Sequence, residues 1–95
     1  MINKFDKKAL SWDQDQNRVN LANAVANSIR KLFHLSSDTR ALDFGCGTGL
    51  VSLALCSQLK QITLADNSSG MLEVLKNKIA VTEIHNLRTI KYDFE

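Results

Sequence analysis

The amino-acid sequence predicts an α/β fold, in which one helix is followed by a β-α-β-α-β unit with a parallel sheet. Segments with helical periodicity alternate with three short apolar segments along the chain. Strands separated by helices of about ten residues are typical of βαβ units. The stretch "GCGTG" directly follows the first apolar segment and precedes a helical one. In parallel α/β sheets, ligands bind at this junction, so the same stretch indicates a binding site.

Length and composition indicate one small folded domain, residues 1–95. Of these residues, 44% are hydrophobic and 23% are charged, which is enough apolar surface for a core. The net charge of +2 is scattered, so we expect no nucleic-acid partner. No apolar run approaches the ~20 residues of a membrane span, so we expect no membrane partner. Cys46 and Cys56 form no CxxC pair and have no histidine at metal-ligand spacing, which favours a reducing, cytoplasmic compartment.

The helices are predicted from apolar spacing. Residues 1–16 form a polar lead-in, and residues 17–35 then place apolar side chains at i, i+3, i+4 and i+7. Those positions are Ala22, Val25, Ala26, Ile29, Leu32 and Phe33. Asp15 or Asn17 is the candidate cap of this helix. The stretches "TGLVSLALCS" (48–57) and "MLEVLKNKIA" (71–80) predict the two helices inside the β-α-β-α-β unit, residues 40–95.

The strands are predicted at residues 40–44, 61–65 and 87–92, and alternation within each one predicts two faces. One face is expected to carry the large apolar side chains Leu42, Phe44, Ile62, Leu64, Ile90 and Tyr92. The other is expected to carry Ala41, Asp43, Thr63, Ala65, Thr89 and Lys91. Right-handed crossovers place both helices of the unit on one side of the sheet. The small and polar face is therefore expected to be the exposed one.

The glycine loop predicts a ligand that approaches bare backbone N–H groups at a helix N-terminus. Its glycines are Gly45, Gly47 and Gly49, a GxGxG pattern. The dinucleotide fingerprint GxGxxG needs its third glycine where this chain has Leu50. Asp43, two residues before the loop, is unfavourable beside a pyrophosphate and suits a cationic ligand. S-adenosylmethionine has an ammonium and a sulfonium group and no phosphate, so the sequence favours it over NAD.

Two further aspartates follow the second and third strands. Asp66 lies about 20 positions after Gly45, the spacing at which a carboxylate accepts hydrogen bonds from both ribose hydroxyls. Asp93 ends the third strand and is a candidate acceptor for the adenine amino group. The alternatives are that Asp66 caps the following helix and that Asp93 is a solvated carboxylate.

Three stretches resemble the class I S-adenosylmethionine-dependent methyltransferases. "ALDFGCGTG" resembles their first motif, and "ITLADNSSGML" resembles their second strand with its acidic residue. "FDKKALSWD" resembles the lead-in of many small-molecule methyltransferases of this class. The resemblance covers essentially the whole chain. It implies a Rossmann-like three-layer fold, S-adenosylmethionine as cofactor, and methyl transfer to a small-molecule acceptor.

The resemblance also implies the site. Asp43 and the loop would surround the methionyl end, Asp66 would hold the ribose, and Asp93 would meet the adenine. The loop residues are Gly45, Cys46, Gly47, Thr48 and Gly49, and the residues bordering the adenine are Asn67 and Met71. Trp12 would close the pocket from the N-terminal side. No catalytic residue is assigned and no metal ligand is expected.

Some of these residues have plainer interpretations. The glycine loop also suits a structural strand-to-helix turn. Cys46 is small enough for the loop, and no base stands at a spacing that would make it a nucleophile. Met71 suits helix packing as well as adenine contact, and Trp12 suits a packing anchor.

In the class that the chain resembles, the acceptor-binding parts follow the third strand of a seven-stranded sheet. Because this chain stops just after its third strand, we expect only the N-terminal half of the domain, without turnover on its own. The first strand would then be an edge, so we expect self-association through it or marginal stability. The alternatives are a non-catalytic half-domain that binds S-adenosylmethionine or a partner, and part of a nucleotide-dependent oxidoreductase, which Asp43 and Leu50 disfavour.

Overall fold

A computed structural model of the chain describes residues 3–93, in which three parallel strands form a sheet of order β1-β2-β3. The strands are β1 (Arg40–Phe44), β2 (Gln61–Asp66) and β3 (Leu87–Lys91). The helices are α1 (Ala9–Trp12), α2 (Gln16–Leu32), α3 (Leu50–Leu55) and α4 (Ser69–Thr82), and a 3-10 turn, Cys56–Gln58, follows α3. The predicted α/β fold with a parallel sheet is confirmed. Residues 1, 2, 94 and 95 of the predicted lead-in and β-α-β-α-β unit lie outside the described residues.

The bounds of α2 follow from its two ends. Asp15 caps the helix, since its carboxylate accepts a hydrogen bond from the backbone N–H of Asn17 at 2.9 Å. Phe33 is extended, with φ −125° and ψ 144°, so the helix ends before it rather than at residue 35. The short helix α1 was not predicted, because the lead-in has no helical periodicity. In residues 3–93, no helix has the length and apolar character needed to cross a bilayer.

The core lies between one face of the sheet and a single helical layer. Ile62 and Leu64 of the central strand are 2% and 0% exposed. They pack in one cluster with Ala26 of α2, Leu55 of α3 and Leu75 of α4. The described part of the chain therefore forms two layers, the sheet and one layer of helices. The sheet and this layer carry the loops that form the candidate site.

The predicted faces of the sheet are wrong in β1 and in β3, because the large apolar side chains that were predicted to share a face with those of β2 lie on the opposite face in both strands. Asp43 pairs with Leu64 across the parallel ladder, so Asp43 faces the helices. Leu42 and Phe44, which were expected in the core, lie on the opposite face and are 65% and 61% exposed. Ile90 shares that face and is 39% exposed. Alternation separates the two faces of one strand but does not determine how neighbouring strands are paired.

Candidate functional site

The loop between β1 and α3 needs its glycines for two different reasons. Gly45, Gly47 and Gly49 have φ values of +75°, +57° and +79°, a region that L side chains rarely adopt. A Cβ on Gly49 would lie 2.6 Å from Cδ1 of Leu75, so this glycine allows the loop to pack on the core. A Cβ on Gly45 would have no atom within 4 Å. Its bare backbone therefore borders open space, where a ligand can approach it.

Hydrogen bonds hold the loop over the end of β2. The backbone N–H groups of Gly45 and Cys46 both donate to the carbonyl oxygen of Ala65, at 2.7 and 3.0 Å. The N–H of Gly47 donates to Oδ2 of Asp66 at 2.7 Å. The glycine loop and the end of β2 thus form one unit, and the two sequence motifs meet in space as their spacing predicted.

Asp66 is a buried carboxylate, 8% exposed, with one hydrogen bond to each oxygen. Besides the bond from Gly47 to Oδ2, the N–H of Ser68 donates to Oδ1 at 2.8 Å. Each carboxylate oxygen has a second acceptor position. Asp66 can therefore still accept two neighbouring hydroxyl donors, as a vicinal diol would supply.

A cavity of about 350 Å³ opens above this carboxylate, and we call it the Asp66 cavity. Its lining comprises Gly45 and Gly47 from the loop, Asp66, Asn67, Met71 and Tyr92 from the sheet end and α4, and Phe5 and Trp12 from the N-terminal segment, residues 3–15. Asn67 accepts a hydrogen bond from the side chain of Asn3 at 3.0 Å, and Met71 is 2% exposed. Five of the predicted cofactor-binding residues are thus brought together, and Trp12, expected to close the pocket, lies with them.

A second cavity, of about 360 Å³, lies between the loop and α2, and we call it the Arg18 cavity. The guanidinium of Arg18 lies 3.7 Å from the centroid of the Trp12 ring, a cation–π arrangement. Loop residues and apolar side chains complete the lining: Gly45, Cys46, Gly47, Thr48, Leu21, Ala22, Val25, Leu50 and Val51. Trp12, Gly45 and Gly47 line both cavities, so the two adjoin across the glycine loop. Sequence reasoning missed Arg18, because a single arginine on a helix has no diagnostic spacing.

Two of the expected aspartates lie away from both cavities. Oδ2 of Asp43 accepts a hydrogen bond from Oγ of Ser52 at 2.6 Å, which joins β1 to α3. The side chain of Asp93 is 79% exposed and lies 3.7 Å from the ammonium of Lys91. Neither aspartate is among the residues that line the Asp66 or the Arg18 cavity.

Cys46 has the properties of an unreactive thiol. Burial, and after it the negative charges of Asp43 and Asp66, raise the pKa of Cys46 to about 12. A thiol with that pKa has almost no thiolate near neutral pH, so it is a poor nucleophile. Cys46 and Cys56 are both free, and no group of three His, Cys, Asp or Glu side chains in residues 3–93 is placed to hold a metal ion.

The N-terminal segment is fixed to the site by residues that sequence reasoning missed. Asp6 accepts hydrogen bonds from Oγ of Ser68 at 2.5 Å and from the N–H of Gly70 at 2.8 Å. A Cβ on Gly70 would lie 2.8 Å from Cα of Asp6, so the close approach requires glycine. The only local signal was "SSG" at a helix start, which indicates a cap but not its distant partner.

Comparison with known proteins identifies the family. Residues 41–95 match the methyltransferase domain family. A malonyl-[acyl-carrier protein] O-methyltransferase of Bacillus cytotoxicus is 31% identical over 93 residues, which cover 88% of this chain and 33% of that protein. The chain spans about a third of the length of the curated relatives it matches.

Solved structures share the fold. One assigned as an S-adenosyl-L-methionine-dependent methyltransferase of Methanococcus maripaludis has a TM-score of 0.79 and 24% identity, and the match covers 98% of this chain and 44% of that one. A coclaurine N-methyltransferase bound to N-methylheliamine and SAH has a TM-score of 0.67 and 20% identity, over 76% of this chain and 22% of that one. The predicted resemblance is confirmed: the chain belongs to the methyltransferase domain family, with the Rossmann-like fold of the class I S-adenosylmethionine-dependent methyltransferases.

Proposed function

We propose that this chain is the cofactor-binding part of an S-adenosylmethionine-dependent methyltransferase, with the cofactor lying across the Asp66 and Arg18 cavities. The observation that carries the proposal is the glycine loop, which borders both cavities and is bonded to Asp66. A carboxylate in one cavity and a guanidinium in the other match the two ends of this cofactor. When bound, the cofactor supplies a methyl group on a sulfonium, which is already a good leaving group.

Asp66 holds the ribose in this proposal. Its two free acceptor positions suit the 2′ and 3′ hydroxyls, and its burial makes the pairing stronger than it would be in water. Asn67 supplies polar groups and Met71 an apolar surface for the adenine, and both line the same cavity. The contact of Asp93 with the adenine amino group stays a prediction. In the structure the Asp93 side chain is exposed and lies beside Lys91.

Arg18 binds the methionyl carboxylate in this proposal. A guanidinium and a carboxylate form two parallel charge-assisted hydrogen bonds, and stacking on Trp12 restricts the guanidinium before the ligand arrives. Asp43, expected at the methionyl end, acts instead through Ser52 by joining β1 to the start of α3. The loop residues Thr48 and Cys46 contribute backbone and shape rather than reactive groups.

We propose a small-molecule acceptor for the whole protein, on the support of a scattered net charge rather than a basic patch. The acceptor named for the Bacillus cytotoxicus relative, malonyl-[acyl-carrier protein], belongs to that protein. Methyl transfer to any acceptor needs in-line placement against the methyl group, and orientation supplies most of the rate. The residues that do this are not assigned within the chain.

The first test is calorimetric titration of S-adenosylhomocysteine into the chain. We expect Asp66→Ala to bind at least about tenfold more weakly than wild type, a loss of about 1.4 kcal/mol. Asp38→Ala is the matched control, because Asp38 is an exposed carboxylate that lines neither cavity. Equal affinities for wild type and Asp66→Ala would contradict the assignment of the ribose site.

A second titration separates the two ends of the ligand. Methylthioadenosine contains the adenosine but not the amino acid of the cofactor. We expect Arg18→Ala to weaken S-adenosylhomocysteine by about tenfold, as loss of a charge-assisted hydrogen bond predicts, and to leave methylthioadenosine unchanged. Equal weakening of both ligands would show that Arg18 does not bind the carboxylate.

We also propose that the chain self-associates through the edge of β1. Within residues 3–93, β1 pairs with β2 alone, so β1 is an edge strand of the sheet that these residues form. Leu42 exposes 65% of its surface beside that edge. We expect sedimentation to show a mass that rises with concentration, and Leu42→Lys to lower it. A monomer at every concentration would contradict this proposal.

We propose a cytoplasmic location. The support is that both cysteines are free, as a reducing compartment would keep them. Fractionation of cells that express the tagged protein would test this, and recovery outside the cytoplasmic fraction would contradict it.

A further inference from the structure

We propose that Asp6 and Asp13 are positioning residues that clamp the N-terminal segment, residues 3–15, over the Asp66 cavity. The clamp sets how fast the cofactor leaves. This inference rests on the proposed function for the identity of the ligand, but the existence of the clamp can be tested without any ligand.

The N-terminal segment forms one wall of the Asp66 cavity. Phe5 and Trp12 line the cavity, and their rings meet edge to face with centroids 6.0 Å apart. The segment between them includes α1, which contacts α4. A ligand in this cavity therefore touches the segment on one side and the loop, sheet end and α4 on the other.

Asp6 attaches one end of the segment to the start of α4. Its Oδ1 accepts from Oγ of Ser68 at 2.5 Å and from the N–H of Gly70 at 2.8 Å. Oγ of Ser68 in turn accepts from the N–H of Met71 at 3.1 Å. Asp6 thus supplies a negative charge at the N-terminus of α4 as well as hydrogen bonds. The two groups that donate to Asp6 belong to Ser68 and Gly70, which follow Asp66 closely in the chain.

Asp13 attaches the other end of the segment to the glycine loop. Oγ1 of Thr48 donates to its Oδ1 at 2.5 Å, and the ammonium of Lys78 lies 2.7 Å from its Oδ2. Thr48 stands between Gly47 and Gly49 and is 1% exposed. Asp13 therefore joins three parts of the molecule, namely the N-terminal segment, the glycine loop and α4.

The positions of the two carboxylates explain why they act on the ligand and not only on the fold. Ser68, which donates to Asp6, lies two positions after Asp66. Thr48, which donates to Asp13, is itself a predicted loop residue that lines the Arg18 cavity. Trp12 is adjacent to Asp13 and lines both cavities. Loss of the contacts of either carboxylate would detach one end of the N-terminal segment from the cavity, while the β-α-β core stays packed.

The chain contains a single tryptophan, so Trp12 reports on the wall directly. We expect acrylamide quenching of Trp12 fluorescence in the ligand-free chain to rise about twofold in Asp6→Asn and in Asp13→Asn, as local opening exposes the indole. Asp38→Asn is the matched control and should quench like wild type. Far-UV circular dichroism should be the same for all four proteins. Unchanged quenching in both clamp variants would overturn the inference.

Ligand kinetics test the second half of the inference. We expect S-adenosylhomocysteine to leave Asp13→Asn about tenfold faster than wild type in stopped flow, the loss of one charged hydrogen bond. The association rate should change much less. Thr48→Val removes the same contact from the other side, so its effect and that of Asp13→Asn should not add. Equal dissociation rates, or fully additive effects, would overturn the role of the clamp.

The two failures are distinguishable. A wild-type chain that does not bind S-adenosylhomocysteine contradicts the proposed function, and the quenching comparison still decides whether the clamp exists. A wild-type chain that binds, with variants that release the ligand at the same rate, contradicts the clamp alone. If Asp13→Asn does not fold, Thr48→Val is used in its place, because it keeps the ion pair between Asp13 and Lys78.

Discussion

The two faces of the sheet carry similar side chains in opposite surroundings. Leu64, on the face that α3 and α4 cover, is 0% exposed, whereas Leu42, one strand away on the other face, is 65% exposed. No helix of residues 3–93 packs on that second face. The core of the described residues therefore lies on one side of the sheet, and we expect the covered face to contribute most of the free energy of folding.

The second face is not uniformly open. Phe44 and Tyr92 stack with ring centroids 4.6 Å apart and an interplanar angle of 6°. Ala65, which shares their face on the strand between them, is only 5% exposed. The face is therefore partly covered near Ala65, although Phe44 itself is 61% exposed, and it is open near Leu42. The partly covered end is the one at which Tyr92 lines the Asp66 cavity.

Truncating the same residue type on each face gives the largest expected difference. Leu64→Ala leaves a cavity in a fully packed core and should lower the free energy of unfolding by about 2–5 kcal/mol. Leu42→Ala removes an exposed side chain and should change it by no more than about 0.5 kcal/mol. Urea denaturation followed by circular dichroism measures both. Similar losses at the two positions would mean that the second face is covered in solution.

The glycines of the loop extend the comparison to the backbone. Gly49→Ala adds left-handed strain of about 1–2 kcal/mol and pushes a Cβ against Leu75 and Leu64, so it should destabilise by about 2 kcal/mol or more. Gly45→Ala adds only the strain, because its Cβ would meet open space. We therefore expect the loss for Gly45→Ala to be about half as large. Equal losses would show that packing against the covered face contributes nothing at Gly49.

Local sequence signals were sufficient for the three strands, for the three longer helices to within a few residues, and for the contact between the glycine loop and Asp66, but not for α1. The bounds of β1, the glycine loop and the capping of α2 by Asp15 depend on residues within a few positions of each other. The spacing from the loop to Asp66 placed both at the same edge of the sheet, because consecutive parallel strands end there. Short-range chemistry predicts such features well.

Contacts between distant residues were not predictable in the same way. The register of β1 against β2 decides which face Leu42 joins, and alternation along one strand carries no information about it. The hydrogen bond that Ser68 donates to Asp6 spans 62 positions, and the approach of Arg18 to the loop depends on how α2 packs on α3. Each of these depends on packing that forms only when the whole domain folds.

The stacked aromatic pair gives a smaller effect on the second face. Phe44→Leu keeps an apolar side chain but removes the ring that stacks on Tyr92, so we expect a loss of about 1 kcal/mol of unfolding free energy. The control is Leu42→Ala, which lies on the same face without a ring. A loss no larger than that of Leu42→Ala would mean that stacking does not stabilise this end of the sheet.

The smallest expected effect is the pH dependence of the stability that Asp6 confers at the N-terminus of α4. Hydrogen bonds from Ser68, and next from Gly70, lower the pKa of Asp6 below its ordinary value of 3.8. A carboxyl group whose pKa is lowered by folding stabilises the fold above its unfolded pKa, and this contribution is lost as pH falls through the folded pKa. We therefore expect wild type to be more stable than Asp6→Asn at neutral pH and the difference to shrink as the pH falls below about 4. Urea midpoints of both proteins at neutral and acid pH measure it, with Asp38→Asn as the control. A difference that stays constant across this range would show that the charge of Asp6 does not hold the N-terminal segment against α4.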